Sequence, residues 1–183
     1  VFVRGDVEYE PSTVSDCFHG ANYSEYISHA QDGMLSIKYG LLFGENAEIR
    51  RIRYENTTDR PIVMSVIAGA KPTLCPLNAD IPHKAFSSMF IETRKSKLGE
   101  FVFARRTNTD SDKVLALFAD KPSILCGDER YARTHKGVRF GRTTEPWLGL
   151  ESELIVPSHG EAELNIVMSY GTEKDVAILL NKI

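Results

Sequence analysis

Apolar and polar residues alternate along most of this chain with a period of two, the spacing of a strand that buries one face. Val3-Arg4-Gly5-Asp6-Val7-Glu8-Tyr9-Glu10 sets small or apolar residues against charged ones and predicts an opening strand that Pro11 ends. Asp32-Gly33 is a turn signal, after which Leu35, Ile37, Tyr39, Leu41 and Phe43 predict one apolar face, closed by a turn at Gly44-Glu45-Asn46. Glu48 to Tyr54 alternates less cleanly, because Ile49 and Ile52 stand three apart, and a bulge would account for that spacing. The run Asn56-Thr57-Thr58-Asp59-Arg60-Pro61 gathers turn formers, and Ile62 to Ile67 is apolar except for Ser65. These two segments predict a hairpin whose second strand is covered on both faces.

Lys71 to Ala85 holds Pro72, Pro76 and Pro82 and has no period, so it predicts a long connection of the kind that often carries function. Strands are expected at Phe86 to Thr93 and Phe101 to Arg105, across a turn at Leu98-Gly99-Glu100, and again at Val114 to Ala119. Arg130 to Arg142 is basic and poorly periodic, holding Tyr131, His135 and Phe140, with glycines at 137 and 141. Leu150 to Val156 and Ala162 to Tyr170 predict a closing pair joined at Pro157-Ser158-His159-Gly160, the second strand turning Ala162, Leu164, Ile166, Met168 and Tyr170 to one side. Only the end predicts a helix. Thr172 is its N-cap, Asp175 completes an acidic capping box, and Val176, Leu179, Leu180 and Ile183 share a face.

Many short strands between turns predict an all-β antiparallel sandwich over residues 1–171, with a helix beginning at 172. Composition adds exclusions. The 183 residues are 42% hydrophobic and 26% charged with a net charge of −3, which gives no basic surface for nucleic acid. No apolar run approaches the roughly 20 residues of a membrane span. Val1 opens within a strand-like segment and no basic-then-apolar leader follows, as expected of a domain excised from a longer enzyme or, alternatively, of a processed or trimmed terminus. Cys17, Cys75 and Cys126 are far apart and odd in number, so neither a disulfide framework nor a zinc site is indicated, and a reducing cytoplasmic setting is expected.

The catalytic templates find no match. There is no G-x-S-x-G elbow, no H-E-x-x-H pair and no phosphate-cradling glycine loop, and the five histidines sit in separate segments. Carboxylate pairs such as Glu92 with Glu100, or Asp128 with Glu129, are expected by number alone among 25 acidic residues. No catalytic residue, metal site or cofactor is therefore expected. Three features carry binding chemistry. His83-Lys84-Ala85-Phe86-Ser87 ends the proline-rich connection and could project polar groups into a neighbouring cleft, or simply cap a loop and start a strand. Arg105-Arg106 ends an apolar strand; guanidinium forks suit sugar hydroxyls or phosphate, although a solvated or carboxylate-paired edge is the commoner use. Trp147, the single tryptophan, could stack on a sugar, but a core or domain-interface anchor is the favoured reading.

Several segments together resemble glycoside hydrolase family 94. They are Glu48-Ile-Arg-Arg-Ile-Arg-Tyr-Glu-Asn-Thr-Thr-Asp-Arg-Pro61, His83-Lys-Ala-Phe-Ser-Ser-Met-Phe-Ile-Glu-Thr93, Ala104-Arg105-Arg106, Glu129 to Arg142, and Pro157 to Tyr170 with the helix after it. The similarity runs in order over residues 34–183 and is greatest to the cyclic β-1,2-glucan synthase and 1,2-β-oligoglucan phosphorylase type; Lys84 stands where the family usually has proline. The resemblance implies a galactose-mutarotase-like β-supersandwich preceding an (α/α)6 barrel that carries the general acid and the phosphate site. This chain would then be a non-catalytic sandwich that braces the barrel, borders its cleft or supports homodimer contacts. The parent would act on a β-linked glucan oligosaccharide by phosphorolysis with inorganic phosphate or by transglycosylation. His83, Lys84, Phe86, Arg105 and Arg106 are the expected substrate-bordering residues. The alternatives are an autonomous carbohydrate-binding module, with exposed aromatics such as Trp147 or Tyr131, and a mutarotase-like enzyme, which needs a histidine and a carboxylate converging on the sheet.

Overall fold

The computed structural model describes residues 2–4, 8–9, 14–129 and 139–183, with the backbone alone at 2–4, 8–9 and 77. Its strands are β1 (Phe2–Arg4), β2 (Glu8–Tyr9), β3 (Asp16–His19), β4 (Tyr23–Ala30), β5 (Gly33–Leu41), β6 (Ala47–Asn56) and β7 (Ile62–Ala70), then β8 (Ile91–Lys95), β9 (Val102–Arg106), β10 (Lys113–Ala119), β11 (Ser123–Asp128), β12 (Gly141–Arg142), β13 (Pro146–Val156) and β14 (Glu161–Thr172). Short helices occur at α1 (Leu77–Asp80), α2 (Lys84–Ser88) and α3 (Glu173–Leu180). The fold is the expected all-β antiparallel sandwich. It comprises two units: Val1–Ala68, Ala119–Pro122 and Glu151–Val167 form the first, and Gly69–Phe118, Ser123–Leu150 and Met168–Ile183 the second.

In the first unit the hydrogen-bonded order is β3-β4-β5-β6-β14 in one sheet and β2-β1-β7-β13 in the other. The long β5/β6 ladder pairs residue for residue from Gly33↔Asn56 to Leu41↔Glu48, so the expected bulge is absent. Ile49 lies on the outward face, opposite Gly40, where its Cγ2 would sit 3.9 Å from a Cβ at that glycine. Ile52, Tyr54 and Asn56 point the other way and are fully buried. Two apolar residues on opposite faces, not an inserted one, thus explain the three-residue spacing. Burial fades along β5: Leu35 is in the core, but Leu41 and Phe43 are exposed.

The opening segment is not one strand. Val3 pairs with Tyr9 and Arg4 with Glu8, so the chain reverses between them, while β1 also pairs with β7 through Phe2↔Ile67. Strand β7 is covered on one face only, since Met64, Val66 and Ala68 are buried while Val63 is exposed. Strands β3 and β4, paired from Asp16↔Ile27 to His19↔Ser24, escape sequence reading because every residue of β3 is exposed and leaves no apolar period.

The largest corrections concern pairing. Strands β6 and β7 do not form the expected hairpin: β6 lies between β14 and β5, and β7 lies in the other sheet between β13 and β1. The closing pair behaves alike, with β13 beside β7 and β14 beside β6. Both turns are arches that carry the chain from one sheet to the other, and they are bound together. Asn56 donates its backbone N–H to Gly160 O at 2.8 Å, and His159 donates its own to Thr58 O at 3.2 Å. The Asn56 side chain donates to Arg60 O at 2.7 Å and Pro157 O at 2.9 Å, and accepts from Thr58 N and Oγ1. Outward on the same strands, Arg51 pairs with Glu163 at 3.0 Å and Arg53 with Glu161.

In the second unit the order is β12-β8-β9-β10-β14 in one sheet and β11-β13-β7 in the other. Val102, Phe103 and Ala104 are all buried, so β9 is covered on both faces, and Ile91, Phe118 and Leu148 join its core. The connection after Lys71 is not featureless: α1, a 3-10 turn over Ile81–His83 and α2 follow one another. Phe86 therefore lies on a helix, and the strand expected from it starts only at Ile91. Most of the basic stretch 130–142, including Tyr131 and His135, lies outside the described residues. Strand β14 switches its buried side, from Leu164 and Ile166 to Val167 and Ser169, leaving Tyr170 exposed rather than in line with the residues before it. The capping box of α3 forms as expected, with Val176 and Leu179 buried, while Ile183 lies exposed beyond the helix. Among the described residues no helix is long and apolar enough to cross a membrane.

Candidate functional site

All five expected binding residues belong to the second unit, and strand alternation divides them into two groups. Arg105 stands directly opposite Glu92 in the β8/β9 ladder, and its Nε and Nη2 reach Glu92 Oε2 at 2.8 and 2.7 Å. Arg94, two residues along β8 and so on the same face, gives Nη2 to the other carboxylate oxygen at 2.8 Å. Glu92 is thus gripped by two guanidiniums. Burial pushes its carboxyl up, but the hydrogen bonds and charges of Arg94 and Arg105 outweigh that and hold it below the usual glutamate value. Arg105 is committed to this pair. Glu100 is bound separately by Lys95 at 2.9 Å, so Glu92 and Glu100 serve two different ion pairs.

Arg106 faces the other way, as the next residue of a strand must. Its Nη1 donates to Ser87 Oγ at 3.2 Å and to Thr73 O at 3.4 Å, and its guanidinium lies 5.5 Å from the Phe90 ring centre. Ser87 is buried and also lies 3.3 Å from Cys75 Sγ, while Thr107 donates its backbone N–H to Phe90 O at 2.8 Å. One guanidinium therefore pins both ends of the 73–90 segment to the end of β9. Phe90 in turn meets Phe86 edge to face, with ring centres 5.0 Å apart.

On that pinned support His83, Lys84 and Phe86 are exposed, Phe86 by 61%, and Ile81 and Met89 are exposed beside them. An exposed aromatic ring next to a lysine and a histidine offers an apolar face together with hydrogen-bond donors, a combination suited to a ligand with apolar faces and many hydroxyls. The structure joins Phe86 to Arg106 through Phe90 and sets Arg105 apart. Sequence reading singled out Ser87 without its partner and missed Thr73 and Phe90, the other groups that give Arg106 its role. The four-residue spacing of Phe86 and Phe90 was the available signal, hidden by the expectation of a strand.

Trp147 is half-buried. A Cβ at Gly69 would lie 2.2 Å from its Cζ2, and one at Gly149 would lie 2.3 Å from its Nε1, so the indole rests on bare backbone as an anchor. Its buried Nε1 finds no acceptor among the described residues. The histidines among the described residues do not converge. His29 lies 3.5 Å from Asp16, His159 lies 2.7 Å from Asp59, His19 contacts Cys17 and Ser24, and His83 sits on the pinned segment. Among the described residues no three histidine, cysteine or acidic side chains gather as a metal site would require.

The family model described as glycosyl hydrolase 94, supersandwich domain, matches residues 7–131. No curated protein matches the chain. Among solved structures, a candidate kojibiose phosphorylase from human microbiome is 10% identical with a TM-score of 0.54, over 99% of this chain and 24% of that one. A polysaccharide lyase is 12% identical with a TM-score of 0.53, over 95% of this chain and 25% of that one. A galactose mutarotase related enzyme from Lactobacillus acidophilus is 8% identical with a TM-score of 0.51, over 92% of this chain and 73% of that one. The chain thus spans about a quarter of the length of the first two, and at these identities the likeness is one of fold.

Proposed function

The chain belongs to the glycosyl hydrolase 94 supersandwich-domain family, and from that premise we propose that it is the non-catalytic, carbohydrate-associated sandwich of a longer cytoplasmic phosphorylase or glycosyltransferase acting on β-linked glucan. In this reading it braces an (α/α)6 catalytic barrel of the same parent chain. Its pinned 73–90 segment borders the barrel's substrate cleft and presents His83, Lys84 and Phe86 to a glucan oligosaccharide, while phosphate and the general acid belong to the barrel. The observation that supports this best is the grip of Arg106 on Thr73 and Ser87. It fixes a short helical segment that would otherwise be free to fray, and keeps an exposed aromatic ring in one position. Holding a ligand contact rigid lowers the cost of ordering it on binding.

The test is an NMR titration of the chain with short β-1,2- and β-1,4-linked glucans. Localised shifts at His83 to Phe86, weakened at least several-fold in F86A, are expected. A well-folded sample whose spectrum does not move at millimolar sugar would overturn the cleft-bordering role and leave a structural brace.

A further inference from the structure

Outside the pinned segment, one cluster of reactive side chains stands on the first unit. Cys17 and His19 are two apart on β3 and so share a face, where Cys17 Sγ lies 3.3 Å from His19 Nε2. The register His19↔Ser24 brings Ser24 of β4 beneath the imidazole, and Ser24 Oγ lies 2.9 Å from His19 Nδ1. Tyr26, opposite Cys17, meets the imidazole edge to face with centres 6.3 Å apart. The thiol is therefore not alone. It has a proton acceptor in contact, and that acceptor is held from its far side by a hydroxyl and an aromatic ring on the neighbouring strand. Nucleophile, base and orienting group stand in the order that covalent chemistry needs.

The other two cysteines provide the contrast. Cys126 is buried, with its thiol 3.3 Å from Asp128 O, and half-buried Cys75 contacts Ser87 Oγ at 3.3 Å. Among the described residues neither touches a base. Cys17 is exposed, so a reagent can approach it.

We propose that Cys17 is a nucleophilic modification site that exchanges with low-molecular-weight disulfides, with His19 as the base and Ser24 as its positioning residue. The thiol proton passes to His19 Nε2 as Cys17 Sγ attacks one sulfur of the incoming disulfide. A new S–S bond forms as the old one breaks, and the departing thiolate takes the proton from the imidazolium. Cys17 is oxidised, the released half of the disulfide is reduced, and no further oxidant is required.

The experiment treats the full chain with oxidised glutathione and follows adducts at the three cysteines by peptide mass spectrometry. An unstructured peptide of residues 14–20 supplies a reference in which the histidine is not held. Cys17 in the folded chain is expected to react roughly five-fold or more faster than the peptide and than Cys75, and H19Q to remove that advantage while Cys126 stays unmodified. The conservative S24T should retain most of the rate and S24A should lose part of it. Equal rates for Cys17 in chain and peptide would overturn the proposal, with no variant needed. An unchanged Cys17 rate in H19Q would overturn it as well. Modification of Cys126 in H19Q would report unfolding of that variant, and the comparison of wild-type chain with peptide then decides.

Discussion

Replacing Asn56 by alanine tests whether the two arches are held by one residue. Its side chain is 1% exposed, and it makes four hydrogen bonds: to Arg60 O at 2.7 Å, to Pro157 O at 2.9 Å, and from Thr58 N and Oγ1 at 2.9 and 2.8 Å. At about 1 kcal/mol net for each, the loss would be roughly 4 kcal/mol. Arg60 and Pro157 are themselves exposed, so water can replace some of what their carbonyls lose, which lowers the expectation to about 2–3 kcal/mol. For a chain of this length that is a fall in Tm of roughly 5–10 °C. The matched control is H159A. It removes the exposed His159–Asp59 contact across the same arches and should cost no more than about 1 kcal/mol. Urea and thermal unfolding followed by circular dichroism measure both. N56D, which turns a carboxylate oxygen toward the Arg60 and Pro157 carbonyls in a buried site, should be at least as destabilised as N56A near neutral pH. If N56A lies within about 0.5 kcal/mol of wild type, or H159A costs more, the clasp does not reside in Asn56 and the packing of the sheets alone must hold the arches.

Two further outcomes follow from the second unit. In G69A the new Cβ would stand 2.2 Å from Trp147 Cζ2 and 2.6 Å from the Leu148 carbonyl oxygen, so the indole must swing away, at a cost of about 2–3 kcal/mol and with a red shift of tryptophan emission; unchanged emission and stability would refute the packing described for Trp147. Glu92 titrates below its ordinary value in the folded chain, so its contribution to stability is complete above the ordinary glutamate range and is lost as pH falls through the lower folded value. E92Q should therefore be less stable than wild type near neutral pH, with the gap closing in acid; a gap that persists or widens in acid would show that the charge of Glu92 is not what Arg94 and Arg105 hold.

The binding residues were legible as residue types and illegible as an arrangement. Arg105-Arg106 reads as a pair in one dimension, but on a strand neighbouring residues face opposite ways. One of these arginines is committed to a carboxylate, and the other pins a loop. Which does which depends on the cross-strand register Glu92↔Arg105, a relation between residues thirteen apart that no local pattern encodes. Phe86 was misplaced for a related reason. An apolar residue before Ile91 and Thr93 looks like the start of a strand, whereas the contacts of Ser87 with Arg106 and Cys75 favour a helical turn that brings Ser87 inward and leaves Phe86 out. The capping box of Thr172 and Asp175, by contrast, is local, and it was readable in full.

The same division explains why both expected hairpins proved to be arches. A polar turn between two apolar strands states that the chain reverses, and it does not state whether the second strand lies beside the first or across the core from it. Two sequence features bear on the choice. Asn56 continues the buried alternation of Ile52 and Tyr54, so a polar side chain is carried into the interior at the point where a tight hairpin would turn in solvent; such a group is retained only where partners meet it. Pro61 removes the N–H that would begin a ladder between β6 and β7. Neither feature suffices alone, because the partners that satisfy Asn56 include Pro157, about a hundred residues away in sequence. The arch after Asn56 is stabilised by the arch after Val156, and each makes structural sense only with the other present. Sequence read segment by segment therefore recovers the strands that keep an apolar period, misses those such as β3 that do not, and loses the pairing wherever the deciding contact is made between two turns.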